Sequence, residues 1–319
     1  MMNRNEKIPV VAVVGPTASG KSRLAVELAL QTDGEVISAD SMQIYKGMNI
    51  GTAKPTKEEM RGVPHHLIDF ADPSQPFSVA DYVSLASECI SEVYSRGKLP
   101  VLAGGTGLYI RSLLQNIQFI DADRDEKLRE ELTRKAEREG PQALVAELES
   151  FDPESAQRID PHNIVRLVRA IEIYRTSGVT MTEQLRRSKE APSPYDACMI
   201  GLDFKDRQML YDRINLRVDK MMEEGLLQEA KEVLSQSGSQ AALQAIGYKE
   251  LLPYFNGEYS LEEAVERIKR ETRRYAKRQL TWFRRDTDVH WVIIDESMDF
   301  DSVVQQAMQI INRKGWFHE

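Results

Sequence analysis

The stretch Gly15-Pro16-Thr17-Ala18-Ser19-Gly20-Lys21-Ser22 constrains this chain more than any other, because it fits G-x-x-x-x-G-K-[ST] in full. Glycines in this spacing let backbone N–H groups turn inward around phosphate oxygens, and a helix starting near Ser22 adds its positive dipole end. Lys21 is placed to reach the terminal phosphate and the Ser22 hydroxyl to ligate Mg²⁺. The flanks agree with that reading. Pro9 to Val14 is a β-branched apolar run that stops at Gly15, and Ser22 to Ala29 carries Leu24, Ala25, Leu28 and Ala29 at helical spacing. The loop is therefore expected to hold a phosphate or diphosphate. It does not say to what that group is attached.

The same strand-then-helix rhythm continues. Val36 to Ala39 reads as a second buried strand closing at Asp40, and Val79 to Tyr94 as a helix capped by Ser78 with Asp81 in its first turn. Pro100 to Ala103 is another short strand, and Gly104-Gly105-Thr106-Gly107 leads from it into an apolar helix, Leu108 to Leu114. Alternation of this kind predicts an α/β fold: a P-loop NTPase-like parallel sheet core with helices on both faces. Near Asp121 the texture changes to charged helical stretches, Asp125 to Glu139, Gln142 to Glu149 and Asn163 to Arg175. They are punctuated by Pro141, Pro153, Pro161 and Gly178. Ala191-Pro192-Ser193-Pro194 looks like a linker, and strand character resumes over Ala197 to Leu202 and again at Val289 to Ile294. The expected organisation is a core in two parts, 1–120 and 195–319, interrupted by a helical insertion domain at 121–194.

With 319 residues the chain can bury a sizeable core, and its two cysteines, Cys89 and Cys198, make a disulfide framework improbable. A reducing, cytoplasmic setting is expected. The first apolar run is too short to span a bilayer, so no membrane partner is expected. Net charge is −8, which taken alone argues against a polyanionic partner. Its distribution argues the other way. Between Arg267 and Arg285 nine basic residues face one acid, Glu271. Arg270, Arg274, Lys277 and Arg278 share one helical face there, suited to the phosphates of a nucleic acid or else to ion pairs with the acidic remainder. Trp282 and Phe283 are candidates for stacking on bases or for core packing.

Ligands of open parallel sheets sit beyond the carboxyl ends of the strands, so Asp40 is expected to face the space lined by the phosphate loop. It can take a proton from a nucleophile or ligate Mg²⁺ from the second shell of waters; a simple cap is the alternative. Gly104 to Gly107 can offer N–H groups and the Thr106 hydroxyl to the same ligand, or be a plain capped turn. His65-His66 has no Cys or Glu at metal spacing, and a loop or packing role is expected. In the insertion, Arg166 and Arg169 lie on one face opposite Leu167, Val168, Ile171 and Tyr174. They are candidate nucleic-acid contacts or salt-bridge partners.

Taken together, GPTASGKS (15–22), DSMQIYKGMNIGTAKP (40–55), PHHLID (64–69), GGTGLYI (104–110), IGYKEL (246–251) and TRRYAKRQLTWFR (272–284) resemble the bacterial tRNA dimethylallyltransferase family nearly end to end. The resemblance implies transfer of a dimethylallyl group from dimethylallyl diphosphate to N6 of the adenosine beside the anticodon of tRNA, with Mg²⁺ as cofactor. It implies that the insertion meets the anticodon stem-loop and that the adenine is flipped out of the loop. By position, Gly15, Pro16, Thr17, Ala18, Ser19, Gly20, Lys21 and Ser22 hold the diphosphate, with Lys21 also catalytic and Ser22 on the metal. Asp40 accepts the N6 proton and Thr106 sits beside the reacting atoms. Either Arg213 or Arg217 meets the leaving diphosphate. Asp40, Ser41, Met42, Gln43, Thr106, Arg166, Arg169, Arg274, Lys277 and Arg278 are implied tRNA contacts, and a monomer is expected. Asn163-Ile164-Val165 departs from the Gln-Arg-type wording of the family at this point. No Cys/His pairs follow the basic helix, so the zinc finger of eukaryotic relatives is not expected.

Three rivals remain open to the sequence. A P-loop small-molecule or nucleotide kinase predicts a second apolar strand ending in Asp for Mg²⁺, whereas Val101-Leu102-Ala103 runs into two glycines. An adenylate isopentenyltransferase shares the chemistry but needs neither insertion nor basic helix. A non-catalytic RNA-binding switch leaves its RNA unchanged in mass.

Overall fold

The computed structural model describes residues 7–117, 119, 125–190, 192–236 and 239–316. The composition change at Asp121 and residue Ala191 of the linker lie outside them. In chain order the elements are β1 Ile8–Val14, α1 Lys21–Gln31, β2 Gly34–Ser38, α2 Lys57–Met60, β3 His65–His66, α3 Val79–Ser95, β4 Leu99–Gly104 and α4 Gly107–Leu114. Then follow α5 Glu126–Glu139, α6 Gln142–Glu149, α7 Pro153–Arg158, α8 Ile164–Ser177 and α9 Met181–Glu190. The chain continues through β5 Tyr195–Phe204, α10 Arg207–Glu223, α11 Leu226–Ser235, α12 Gln240–Gln244, α13 Leu252–Phe255, α14 Leu261–Phe283, β6 Val289–Ile294 and α15 Phe300–Asn312.

The six strands form one sheet in the order β3-β2-β4-β1-β5-β6, and every pairing is parallel. β1 is central and apolar on both faces, as parallel strands must be when helices cover each side. Val10, Ala12 and Val14 pack into a core with α3 and α4, while Val11 and Val13 pack into one with α1 and α15. Full burial of each such valine is worth about 1.5–3 kcal/mol. Register does the rest. Val14 is level with Gly104 on one side and Gly201 on the other, and Ser38 is level with Ala103. The loops after β1, β2 and β4 therefore leave the sheet side by side.

Caps set the helix boundaries. Ser78 and Asp81 form a reciprocal capping box at the start of α3, and Asp125 and Asn163 cap α5 and α8 through their side chains. β3, expected as loop, pairs with Val36 and Ile37. His66 Nε2 lies 2.6 Å from Glu35, which Arg96 also binds at 2.6 Å. Two residues are too few to show the alternation by which a strand is read from sequence.

Contacts divide the chain into two compact units, residues 1–114 with 194–319 and residues 115–193. The second has its own core of Leu132, Leu144, Leu148, Leu167 and Ile171. It also buries Glu172, whose carboxylate takes two hydrogen bonds from Arg129 (2.8 and 2.9 Å) and one from Arg169 (2.6 Å). Desolvation opposes that burial, yet these donors hold the Glu172 pKa below its ordinary value.

A cleft between the phosphate loop and the basic helix

The loop after β1 folds as its sequence requires. Gly15 (φ 145°), Ala18 (φ 62°) and Gly20 (φ 92°) have positive φ, and Gly20 is the N-cap of α1. Two of these three left-handed positions carry glycine, which adopts such angles without a Cβ penalty. Lys21 follows in the first turn, and its Nζ donates to Pro16 O at 3.3 Å. Its ammonium is deeply desolvated. Burial, then the neighbouring Arg217 charge, push its pKa down to about 8, against which Asp40 works in the opposite direction. This is a cationic hollow suited to an anion.

α10 brings two arginines to the loop one helical turn apart, and they do different things. Arg213 Nε donates to Ala18 O at 2.9 Å, on the loop's exposed side. Arg217 Nη1 donates to Thr17 Oγ1 at 3.3 Å and lines the cleft beside Lys21 and Asp40. Burial lowers the Arg217 pKa from its ordinary value. Arg217 is thus the arginine aimed at the ligand space, and Arg213 braces the loop from outside.

Asp40 stands just past β2. One carboxylate oxygen, Oδ1, accepts from the N–H groups of Met42 (2.9 Å) and Gln43 (3.3 Å), closing the turn that follows. Oδ2 has no hydrogen-bond partner among the described residues. The residue therefore caps a turn and also lines the cleft. Thr106 Oγ1 accepts the Ser41 N–H at 3.0 Å and lies 3.4 Å from Ser41 Oγ, tying the Asp40 loop to the loop after β4. Gln43 is less free than its candidacy implied. Its Nε2 donates to Thr52 O and Ala53 O at 3.2 and 3.1 Å, so the amide is engaged in bracing the 40–55 loop.

The cleft encloses about 230 Å³. Thr17, Lys21, Ser22, Asp40, Ser41, Met42 and Gln43 line one side, Arg217, Val218 and Met221 of α10 another, and Ile268, Thr272, Tyr275, Arg278 and Gln279 of α14 a third. The basic helix is therefore a wall of the site as well as a surface. Along it, Lys269 pairs with Asp219 (2.7 Å), Arg274 with Glu271 (2.8 Å), and Arg273 donates to Asn215 (2.6 Å). Lys277 and Arg278 are exposed, Arg278 with its guanidinium 5.6 Å from the Tyr275 ring centre. Phe283 is core, only 3 % exposed, while Trp282 is 38 % exposed with its indole edge set against Gly107. Ser22 is exposed at the head of α1. Arg166 and Arg169 belong to the 115–193 unit, Arg166 exposed and Arg169 bound to Glu172.

The sequence and fold match a known family. A family model described as IPP transferase matches residues 43–286. The chain belongs to the IPP transferase family. Among relatives, it is 51 % identical over 298 residues to the tRNA dimethylallyltransferase of Bacillus subtilis, covering 93 % of this chain and 94 % of that one. It is 50 % identical over 309 residues to the enzyme of that name from Halalkalibacterium halodurans (97 % and 98 %). Among solved structures, the full-length tRNA isopentenylpyrophosphate transferase of Bacillus halodurans matches at 48 % identity and TM-score 0.72, covering 97 % of each chain. A eukaryotic dimethylallyltransferase acting on tRNA matches at 30 % identity and TM-score 0.82, covering 96 % of this chain and 79 % of that one.

Within this IPP transferase the sequence left unmarked some residues that line or brace the cleft. Gln279 is 4 % exposed, accepts the Thr17 N–H at 2.8 Å and donates to Gly105 O at 3.1 Å. Tyr275 lies beside Thr106 and Gln279, and burial raises its phenol pKa. Glu229 receives the N–H groups of Asn49, Ile50 and Gly51 at 3.0, 2.9 and 2.9 Å and the Tyr248 hydroxyl at 2.7 Å, clamping the loop of the 40–55 motif. The available signal was a polar residue, Gln279, in the seam Ala276, Gln279, Leu280, Phe283 that α14 buries.

Proposed function

We propose that this chain transfers a dimethylallyl group from dimethylallyl diphosphate to N6 of the adenosine beside the anticodon of tRNA, releasing diphosphate. The observation that carries the reading is one cleft in which cations, Lys21 and Arg217 with the loop amides, stand beside an Asp40 that keeps one carboxylate oxygen open. The adenine N6 lone pair attacks C1 of the allyl group. The C1–O bond breaks, its electron pair stays on the diphosphate, and the N6 proton passes to Asp40 Oδ2. Charge grows on the diphosphate as that bond lengthens. Oriented N–H groups, Lys21 and Arg217 therefore stabilise the transition state more than the substrate. Thr106, held to Ser41, keeps the Asp40 loop in register with the acceptor. Lys277 and Arg278, both exposed on α14, serve the tRNA backbone, and Arg166 does so from the helical insertion.

The residues fit a divalent cation only in part. The Ser22 hydroxyl and Asp40 share the cleft, and no group of three His, Cys, Asp or Glu among the described residues could cage a metal. That suits Mg²⁺, which keeps waters and takes ligands from substrate phosphates. Ser22 is the proposed protein ligand, and the ion, when bound, would supply charge neutralisation to the diphosphate. Among the described residues no helix is long and apolar enough to cross a membrane.

The test is incubation with unmodified tRNA, Mg²⁺ and dimethylallyl diphosphate, followed by nucleoside mass spectrometry. The expected result is adenosine carrying one dimethylallyl group. Folded protein that leaves the tRNA's mass unchanged refutes the proposal.

A further inference from the structure

We infer that Gln279 is a positioning residue that sets the spacing between the diphosphate cradle and the acceptor side of the cleft. The inference rests on the prenyl-transfer reading above and concerns how that transfer is aligned. The loops after β1 and β4 emerge from neighbouring strands, yet among the described residues no backbone hydrogen bond joins them beyond the sheet. The Gln279 side chain joins them instead. Its Oε1 accepts from Thr17 N–H (2.8 Å) and its Nε2 donates to Gly105 O (3.1 Å). A backbone N–H can only donate and a carbonyl only accept, so the amide orientation is unambiguous and both ends are used. A Cβ on Gly105 would stand 2.0 Å from Nε2 and 3.6 Å from Gly15 O, so the loops close around this one amide with no room to spare.

The strut also lies on a path between the two chemical ends of the site. On one side Thr17 Oγ1 takes Arg217 Nη1 (3.3 Å). On the other, Thr106, the residue after Gly105, holds Ser41 N–H (3.0 Å), which follows Asp40. Because the Thr17 N–H is committed to Gln279, it is not directed at a phosphate oxygen, and the role of Gln279 is geometric rather than electrostatic. Alignment of this kind is costly to lose: displacement of a reacting group by about 1 Å lowers rates on the order of 100-fold.

Two variants separate alignment from stability. Gln279→Met keeps the volume and loses both hydrogen bonds. Gln279→Glu keeps the acceptor for Thr17 and loses the donor for Gly105 when ionised, but regains it when protonated. Each is compared with wild type in single-turnover prenylation at saturating tRNA and dimethylallyl diphosphate, with tRNA Kd and Tm measured alongside. The expected result is a rate lower by about 10- to 100-fold in both at neutral pH, with tRNA Kd within about twofold. For Gln279→Glu the rate relative to wild type recovers as pH falls through the pKa of the new carboxyl, since the protonated form restores the donor. For Gln279→Met the ratio stays flat. The titratable and charged groups facing this position are Lys21, Asp40 and Arg217 in the cleft and Tyr275, itself hydrogen-bonded to Gln279, and Arg278 on α14; Gln279→Met, which adds no ionisable group, is the control for their titration. Variants that turn over at the wild-type rate per folded molecule overturn the inference, as does a rate loss that tracks Tm with a flat pH ratio for Gln279→Glu. A wild-type protein that transfers no prenyl group in the same assay sinks the functional reading itself, and this inference with it.

Discussion

Two glycine-rich loops stand side by side at the carboxyl edge of the sheet, and Gly20 in one is there for the opposite reason to the glycines of the other. In the loop after β1, Gly15 and Gly20 have positive φ; a Cβ on Gly15 would also stand 2.9 Å from Leu202 O, whereas one on Gly20 would meet nothing closer than 4.0 Å. Glycine is needed at Gly20 for its backbone angle, which turns amides toward an anion. In the loop after β4, none of Gly104, Gly105 and Gly107 has positive φ. There a Cβ would stand 2.1 Å from Ala39 O, 2.0 Å from Gln279 Nε2 and 2.1 Å from the Trp282 ring respectively. Those glycines make room for β2's loop and for α14. On the proposed function, one loop holds the ligand and the other holds the protein around it.

The comparison predicts different failures. The largest effect belongs to the ligand-holding side and its partner base. Asp40→Ala is expected to slow single-turnover transfer by about 10²–10⁴-fold with tRNA binding retained, as loss of a general base does. Arg217→Ala is expected to lower kcat/KM for the diphosphate by about 10²–10³-fold, as removal of a transition-state donor does. Near-normal turnover in either removes the proposed role. Lys21→Ala belongs with these for activity but not for stability. Its pKa of about 8 against an ordinary 10.5 means that the charged ammonium is an unfavourable guest in the ligand-free fold. That penalty is present below pH 8 and relieved as pH rises toward 10.5, so at neutral pH the Tm of this variant holds or rises.

Next in size are the packing glycines. Gly104→Ala must push against the Ala39 backbone and is expected to cost about 3 kcal/mol or slightly more, read by urea unfolding. Gly20→Ala meets only backbone strain, about 1–2 kcal/mol. If Gly20→Ala proved the more destabilising of the two, the distinction between the loops would break.

The pH profile sharpens the same contrast. Lys21 binds anions only when protonated, so kcat/KM for dimethylallyl diphosphate is expected to fall about tenfold per pH unit above about 8 in proportion to the ammonium lost, while kcat, measured on the loaded enzyme, falls later. Lys21→Arg should erase that limb. The smallest effects sit on the exposed basic residues of α14, where Lys277→Ala and Arg278→Ala are each expected to reduce the salt dependence of tRNA binding by about one unit of slope. Arg274→Ala should do less, since that side chain already pairs with Glu271.

What could be read from the sequence follows from how local each feature is. The phosphate loop was legible because all its determinants are contiguous, and the parallel sheet because β1, β2, β4 and β5 announce themselves as apolar runs between turn residues. Ser78, Asp125 and Asn163 marked helix starts to within a residue, because a cap acts on the next three positions. Gln279 was illegible because its partners are 262 and 174 residues away in sequence. Arg213 and Arg217 were inseparable because they are one turn apart on the same helical face. Only their reach distinguishes them, to Ala18 O outside and to Thr17 Oγ1 within. The spacing role of Gly104 to Gly107 was hidden for the same reason, since the atoms that crowd them lie in other elements.

The claim on which the rest depends is that the loop after β1 grips a departing diphosphate and passes no phosphoryl group onward. A single turnover with dimethylallyl diphosphate labelled in both its carbon and its phosphorus tests this directly. The account predicts carbon label on the tRNA adenosine and phosphorus label in free diphosphate, in equal amounts. Phosphorus label covalently attached to any acceptor would contradict it.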